Sequence, residues 1–234
     1  MSEMNSPQGT DRRAIPQRST TWAAKLADVM YAARLTPNRV SVGSVLFATL
    51  GAAALIASAL VTTDGARAVW LIVAVVCIPL RLLLNMLDGM LAVERGMHTP
   101  TGDLFNEVPD RVADLMLLAA AGYATLGIWA TSSIDWGVVI GWAAASAAVM
   151  TAYVRTLGAA NGVGNFFGGP MAKPARMWVL VVASLASLFE PLFDGRGLFL
   201  ATGLVIILVG SVVTVIMRLK RIAAALQVRK ADVS

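Results

Sequence analysis

The chain contains one cysteine, one histidine and little charge, with only 14% of its 234 residues being Asp, Glu, Lys or Arg. A single thiol, Cys77, excludes an internal disulfide; lying inside an apolar run, it says little about redox compartment. The shortage of charge, set against 57% hydrophobic residues, excludes an ordinary soluble domain. No cleavable signal peptide is expected, because roughly the first 40 residues are polar and basic and lack an early apolar core. No internal repeat is visible, and no low-complexity tract beyond Ala-rich helices. The net charge of +5 reads as an excess facing anionic lipid rather than as a nucleic-acid surface.

What the chain does have is a succession of long apolar runs. Divided into spans of about 20 residues, they predict an all-α, polytopic membrane protein built as one bundle. Six transmembrane helices are expected, at roughly 41–63, 68–94, 103–130, 136–158, 173–193 and 197–218. Ahead of them, "TWAAKLADVMYAAR" (Thr21 to Arg34) places Trp22, Leu26, Val29 and Met30 on one side of a helix and Lys25 and Asp28 elsewhere. That pattern predicts an N-terminal amphipathic helix lying on the membrane surface. Pro37 in "LTPNRVS" then breaks it. The resulting organisation is a disordered tail (1–19), a juxtamembrane helix (20–35), a six-helix membrane domain (36–222) and a basic tail (223–234).

Loop charges orient the bundle. Arg12, Arg13, Arg18, Lys25, Arg34 and Arg39 precede the first span, Arg95 follows the second, and Arg155, Lys173 and Arg176 flank the fourth loop. Arg218, Lys220, Arg221, Arg229 and Lys230 end the chain, whereas the opposite loops hold only Arg67 and Arg196. The positive-inside rule therefore places both termini in the cytoplasm, along with the loops after spans two and four.

Against this apolar background, "NMLDGMLAVERGMHTPTGDLFNEVPDRVAD" (Asn85 to Asp114) carries six acids and two Asn. A charge within a span costs a few kcal/mol, so such acids are paired or functional. Asn85 and Asp88 stand three apart on the end of span two, with Arg81 one turn earlier. On span three, Asn106 and Asp110 stand four apart, and Asp103, Glu107, Asp110 and Asp114 share a stripe. Joined by a short loop, these two helices are expected to run antiparallel side by side and to bring their carboxylates together at the cytoplasmic interface. Converging carboxylates need a cation, and an all-oxygen ligand set suits Mg²⁺ or Mn²⁺. Gly89 and Gly102 leave room beside the acids, and Pro109 removes one backbone hydrogen bond.

The same stretch resembles the signature of the CDP-alcohol phosphotransferases, D-x2-D-G-x2-A-R-x8-G-x3-D-x3-D. Asp88, Gly89, Ala92, Gly102 and Asp110 fall in register, and "LTPNRVS" is similar to the segment that enters the first span in that family. Three positions depart from the pattern: Asn85 and Asn106 stand where the family has Asp, and Val93 where it has Arg. An Asn offers a carbonyl oxygen to a metal but no charge, which weakens a two-metal site unless Glu107 or Asp114 replaces the missing acids. Arg95, Arg81 or Arg111 would stand in for the absent Arg.

The resemblance implies an activity. A hydroxyl of a small alcohol or polyol attacks the lipid-bearing phosphorus of CDP-diacylglycerol or a similar CDP-lipid, and CMP leaves. It makes Asp110 the general base and a metal ligand. Asp88 becomes a metal ligand, with Asn85 and Asn106 as weaker ones. Gly89, Ala92 and Gly102 would make room for the cytidine nucleotide beside Asp88, with Arg95 among the candidates for its phosphates. Arg155, Lys173 and Arg176 form a second basic group that would hold a phosphate on the acceptor or serve only as lipid anchors. The segment between them, "GAANGVGNFFGGP", is Gly-rich and able to bend over a polar substrate.

Structural readings stand beside these. Glu107 can pair with Arg111 at i+4, and Asp114 with Arg81. Asn85 and Asn106 can act as interhelical hydrogen-bond glue, and Asp103 as a favourable helix N-terminal charge. His98 reads as a solvated loop residue. The small residues of "GWAAASAAV" in span four fit either intrachain packing or the seam of a homodimer. Two other functions remain open: a transporter or cation channel using the same acids, and a family member that binds CDP-lipid without turnover.

Overall fold

The computed structural model describes residues 20–97, 101–125, 127–193 and 195–231. The N-terminal tail, His98 and residues 232–234 lie outside these, as does the side chain of Asp103. Seven α-helices occur among the described residues: α1 (Thr21–Ala32), α2 (Pro37–Leu60), α3 (Asp64–Glu94), α4 (Gly102–Tyr123), α5 (Trp136–Ala160), α6 (Lys173–Ala186) and α7 (Leu198–Ala231). A 3-10 helix, Ser187–Phe193, extends α6.

Local chemistry explains the helix starts. Thr36 caps α2 by accepting from the Arg39 backbone N–H at 3.4 Å, with Pro37 at the first turn, where a missing N–H costs nothing. Thr63 caps α3 through Ala66 N–H, and Asp135 caps α5 through Gly137 and Val138 N–H. At α7 the Glu190 carboxylate accepts from Gly197 and Phe199 N–H and pairs at 2.9 Å with Arg67 of α3. This buried clasp joins three elements at the end of the bundle opposite the acids. Both interior prolines, Pro79 in α3 and Pro109 in α4, are accommodated within continuous helices.

The protein is all-helical and built to span a membrane. α2, α3, α5, α6 with its 3-10 extension, and α7 are each long and apolar enough to cross. α4 occupies the third predicted span but is less apolar than the other five, because Glu107, Asp110, Arg111 and Asp114 lie within its first thirteen residues. α1 packs Ala23, Ala27 and Met30 against Val40, Met86, Leu87, Met90 and Leu91. Its Trp22 and Val29, expected on the same apolar side as Met30, instead face outward. The small Ala side chains are what allow α1 to sit close against the end of α3. At the other terminus, α7 continues to Ala231, so most of the predicted basic tail is helical.

One expectation about packing changes. α3 and α4 are not side by side along their lengths; α2 packs extensively against both, and α6 packs against α3. Gly51 shows the wedge: a Cβ there would stand 3.2 Å from Leu117 of α4 and 3.3 Å from Cys77 of α3. α3 and α4 meet instead through the polar side chains at one end, where Arg81 and Asn85 of α3 reach Asp110 and Asp114 of α4.

α4 and α5 cross with their backbones in close approach at Gly122 and Gly141. A Cβ on Gly141 would lie 2.6 Å from the Gly122 Cα, and one on Gly122 would lie 3.0 Å from the Gly137 carbonyl oxygen. Gly141, Ala144, Ala145 and Ala148 are buried within the chain, so the small-residue face of span four serves intrachain packing. Gly141→Val is expected to force these helices apart at a cost of about 1–3 kcal/mol. The check is a lower apparent melting temperature of detergent-purified protein, with Ala143→Val, on a less buried face, as the contrast.

Candidate active site

The ends of five helices and the middle of a sixth gather at the acidic stretch: the starts of α2, α4 and α6, the ends of α3 and α5, and the middle of α7. Asp88, on the last turns of α3, is 3% exposed. Its Oδ2 accepts from the Ser41 hydroxyl of α2 at 2.6 Å. Its Oδ1 is buried and accepts no hydrogen bond from the described residues. Across the gap on α4, Asp110 is closely held. Asn85 donates its amide to Asp110 Oδ1, and the Lys173 ammonium of α6 pairs with Oδ2. Arg81 of α3 adds a longer contact to Oδ1 at 3.5 Å and donates to the Asp110 backbone carbonyl at 3.2 Å.

One helical turn deeper, Asp114 is sealed from solvent and paired twice, with Arg81 at 2.8 Å and Arg176 at 2.6 Å. Arg176 also donates to the Thr151 hydroxyl of α5 at 3.1 Å and the Met171 carbonyl at 3.2 Å. This triad cross-braces α3, α4, α5 and α6 beneath the site. Glu107 forms a third group, bonded to Arg111 at 2.6 Å and to Arg155 of α5. Arg155 lies over the Phe167 ring at 5.3 Å, which ties the Gly-rich loop to the site. Arg218 fastens the same loop, donating to Gly168 O at 2.9 Å, Phe167 O at 3.0 Å and Thr151 O at 2.5 Å.

A transmembrane bundle with this cluster at one end, and with the sequence register on α3 and α4, narrows the family to one. The model of the CDP-alcohol phosphatidyltransferases matches residues 34–225. The chain belongs to this family. A search of curated proteins gave no match. Among solved structures, it is similar to the phosphatidylinositol phosphate synthase of Mycobacterium tuberculosis with CDP-DAG bound. That likeness has 23% identity and a TM-score of 0.63, over 87% of this chain and 94% of that one. The same synthase in complex with manganese and citrate matches with a TM-score of 0.61 and 23% identity, over 86% and 88% of the two chains. At this identity the likeness establishes the shared fold.

A divalent cation, which the family implies, can be tested against the donors present. The buried, unbonded Asp88 Oδ1 fits one cation. Mg²⁺ commonly takes one or two carboxylates with the rest of its shell from water and substrate phosphates. Among the described residues no three Asp, Glu, His or Cys side chains form a metal-holding group by themselves. Glu107 and Asp114, the expected replacements for missing acids, are engaged by Arg side chains instead. Asn106 is exposed on the first turns of α4, one turn from Asp110.

The structure therefore brings together Asn85, Asp88, Asp110 and Lys173, with Glu107, Arg155, Asp114 and Arg176 around them. Gly89 and Ala92, beside Asp88 on α3, and Gly102, at the start of α4, are each partly exposed. Arg95 stands apart, paired with Asp28 of α1. Among the three arginines considered as stand-ins at Val93, only Arg81 reaches Asp110. Sequence reasoning missed Ser41 and Thr151. Ser41 lies in "LTPNRVS", and four residues after Pro37 at a helix start is a position from which a hydroxyl can reach a neighbouring helix end. Ser41→Ala leaves Asp88 without its hydroxyl donor. It is expected to cost about 1.5–3 kcal/mol, the usual worth of a hydrogen bond to a charged group, read as a lower melting temperature.

Proposed function

We propose that this chain transfers a phosphatidyl group from CDP-diacylglycerol, or a similar CDP-lipid, to the hydroxyl of a small alcohol or polyol phosphate, releasing CMP. The observation that carries the reading is the convergence of Asp88, Asp110 and Lys173 from three helices at one end of a membrane bundle. Asp88 would hold a divalent cation, Mg²⁺ or Mn²⁺, whose charge offsets that of the donor diphosphate. Support also comes from the solved synthase, whose structures include CDP-DAG in one case and manganese in another.

The chain's own residues divide the work. A carboxylate offers about four acceptor positions. Asn85, Arg81 and Lys173 occupy three on Asp110, leaving one for the acceptor hydroxyl. The hydroxyl oxygen bonds to the lipid-bearing phosphorus, its proton passes to Asp110, and the bond to CMP breaks. An ammonium has three donors, so Lys173 retains two for phosphate oxygens while it holds Asp110. Arg155, the most accessible guanidinium of the second basic group, would meet the acceptor's phosphate, whereas Arg176 positions the site through Asp114. Gly89, Ala92 and Gly102 leave space for the cytidine. The site and both termini would face the cytoplasm, with the lipid entering sideways from the bilayer. A homodimer belongs to the same proposal.

The test is CMP release by purified protein given CDP-diacylglycerol, Mn²⁺ and a panel of glycerol phosphate, inositol, inositol phosphate and serine. Release with one acceptor, and mass detection of the matching lipid, supports transfer. A second reading, binding of CDP-lipid without turnover, is favoured by the engagement of both Asp110 oxygens by neighbouring donors. Tight CDP-lipid binding with no CMP from any acceptor would establish it and sink the first.

A further inference from the structure

We infer that Lys173 is a built-in cation of this centre: it closes Asp110 to metal, so that the chain binds a single divalent ion, at Asp88. The inference rests on the reading of Asp88 as the cation position.

Three observations carry it. The two central carboxylates differ in what they have left to offer. Asp110 has both oxygens engaged, Oδ1 by the Asn85 amide and Arg81, and Oδ2 by the Lys173 ammonium. Asp88 has one oxygen bonded to Ser41 and the other buried with no hydrogen-bond partner among the described residues. A buried, unsatisfied carboxylate oxygen calls for a cation or a donor, and an oxygen already held by an ammonium or a guanidinium does not.

The second observation is charge. Among the described side chains the cluster contains four carboxylates (Asp88, Glu107, Asp110 and Asp114) and five cationic side chains (Arg81, Arg111, Arg155, Lys173 and Arg176). These described groups carry a net positive charge before any metal enters. One dication beside Asp88, with an incoming diphosphate, suits such a field. A second at Asp110 would face Lys173 and Arg81 directly and would have to displace a fixed ammonium. The third observation is Asn85 itself. Its NH₂ points at Asp110, so this residue serves that carboxylate as a donor and brings no negative charge for a cation there.

The test counts ions on the full chain in detergent, by loss of the free Mn²⁺ electron paramagnetic resonance signal and by calorimetry. Wild type is expected to bind one Mn²⁺, Asp88→Asn none, and Asp110→Asn still one. Lys173→Met, which frees a carboxylate oxygen, is expected to bind two, and Lys173→Arg to return the count to one. Two ions or none on wild type overturns the inference, as does a count that falls to zero in Asp110→Asn. If Lys173→Met does not fold, the wild-type and Asp110→Asn counts decide alone. Turnover is a separate readout: CMP release with two bound ions sinks this inference only, while one bound ion without CMP release sinks the proposed reaction only.

Discussion

Asp110→Asn is expected to lower CMP release from CDP-diacylglycerol by about 100- to 10,000-fold, the range over which a positioned acid–base group acts. The substitution preserves shape. Asn at 110 keeps a carbonyl for Lys173, and Asn85, which now donates to Asp110, can flip its amide and accept instead. What is lost is the charge and the ability to take a proton. The loss should therefore fall on kcat, with the affinity for CDP-lipid, read by ligand-induced thermal stabilisation, changed by no more than a few fold. Equal falls in lipid affinity and in rate would mean that Asp110 organises the binding pocket rather than receiving the proton. A rate within threefold of wild type would remove it from the chemistry altogether.

How much of this was legible beforehand depends on the kind of interaction. The spans were legible because a long apolar run has few alternatives to a membrane helix, and the residues at Pro37, Thr63 and Asp135 mark helix starts by local rules. The acids were legible as a cluster because helical spacing and the family register put Asp88 and Asp110 near one end of neighbouring elements. Their partners were not. Lys173 stands sixty-three positions after Asp110, and Arg176 sixty-two after Asp114, separations that no periodicity reports. Basic residues at span ends also have an ordinary explanation as membrane anchors, which hid Arg218 as a buried clamp on the Gly-rich loop. The short loop between α3 and α4 suggested direct packing, but small residues such as Gly51 let α2 come between them. Ser41 was hidden because a hydroxyl at a helix start is as often a local cap as a partner for a distant carboxylate.

Asp114→Ala is expected to be the most destabilising single change near the site, at about 3–5 kcal/mol, the cost of breaking a buried ion pair from one side. Asp114 and Arg81 are fully buried, and Arg176 is 1% exposed. Without the carboxylate, two guanidinium groups face each other in an apolar bundle. Arg81 would keep only its contacts with Asp110, and its Nε and Nη1 already have no hydrogen-bond partner among the described residues. The measurement is the fraction of folded protein and its melting temperature in detergent, compared with Asp114→Asn, which retains one acceptor and should lose less. Replacing both partners, as Asp114→Leu with Arg176→Met, should recover part of the loss, because an apolar pair avoids the desolvation that the ions suffer. High salt should leave this group nearly unchanged, while weakening the exposed Arg95–Asp28 pair. If Asp114→Ala melts with wild type, the triad is not what fixes α4 against α6. The close placement of Lys173 on Asp110 would then need another cause, because these two residues lie on the same helices, one turn from the triad.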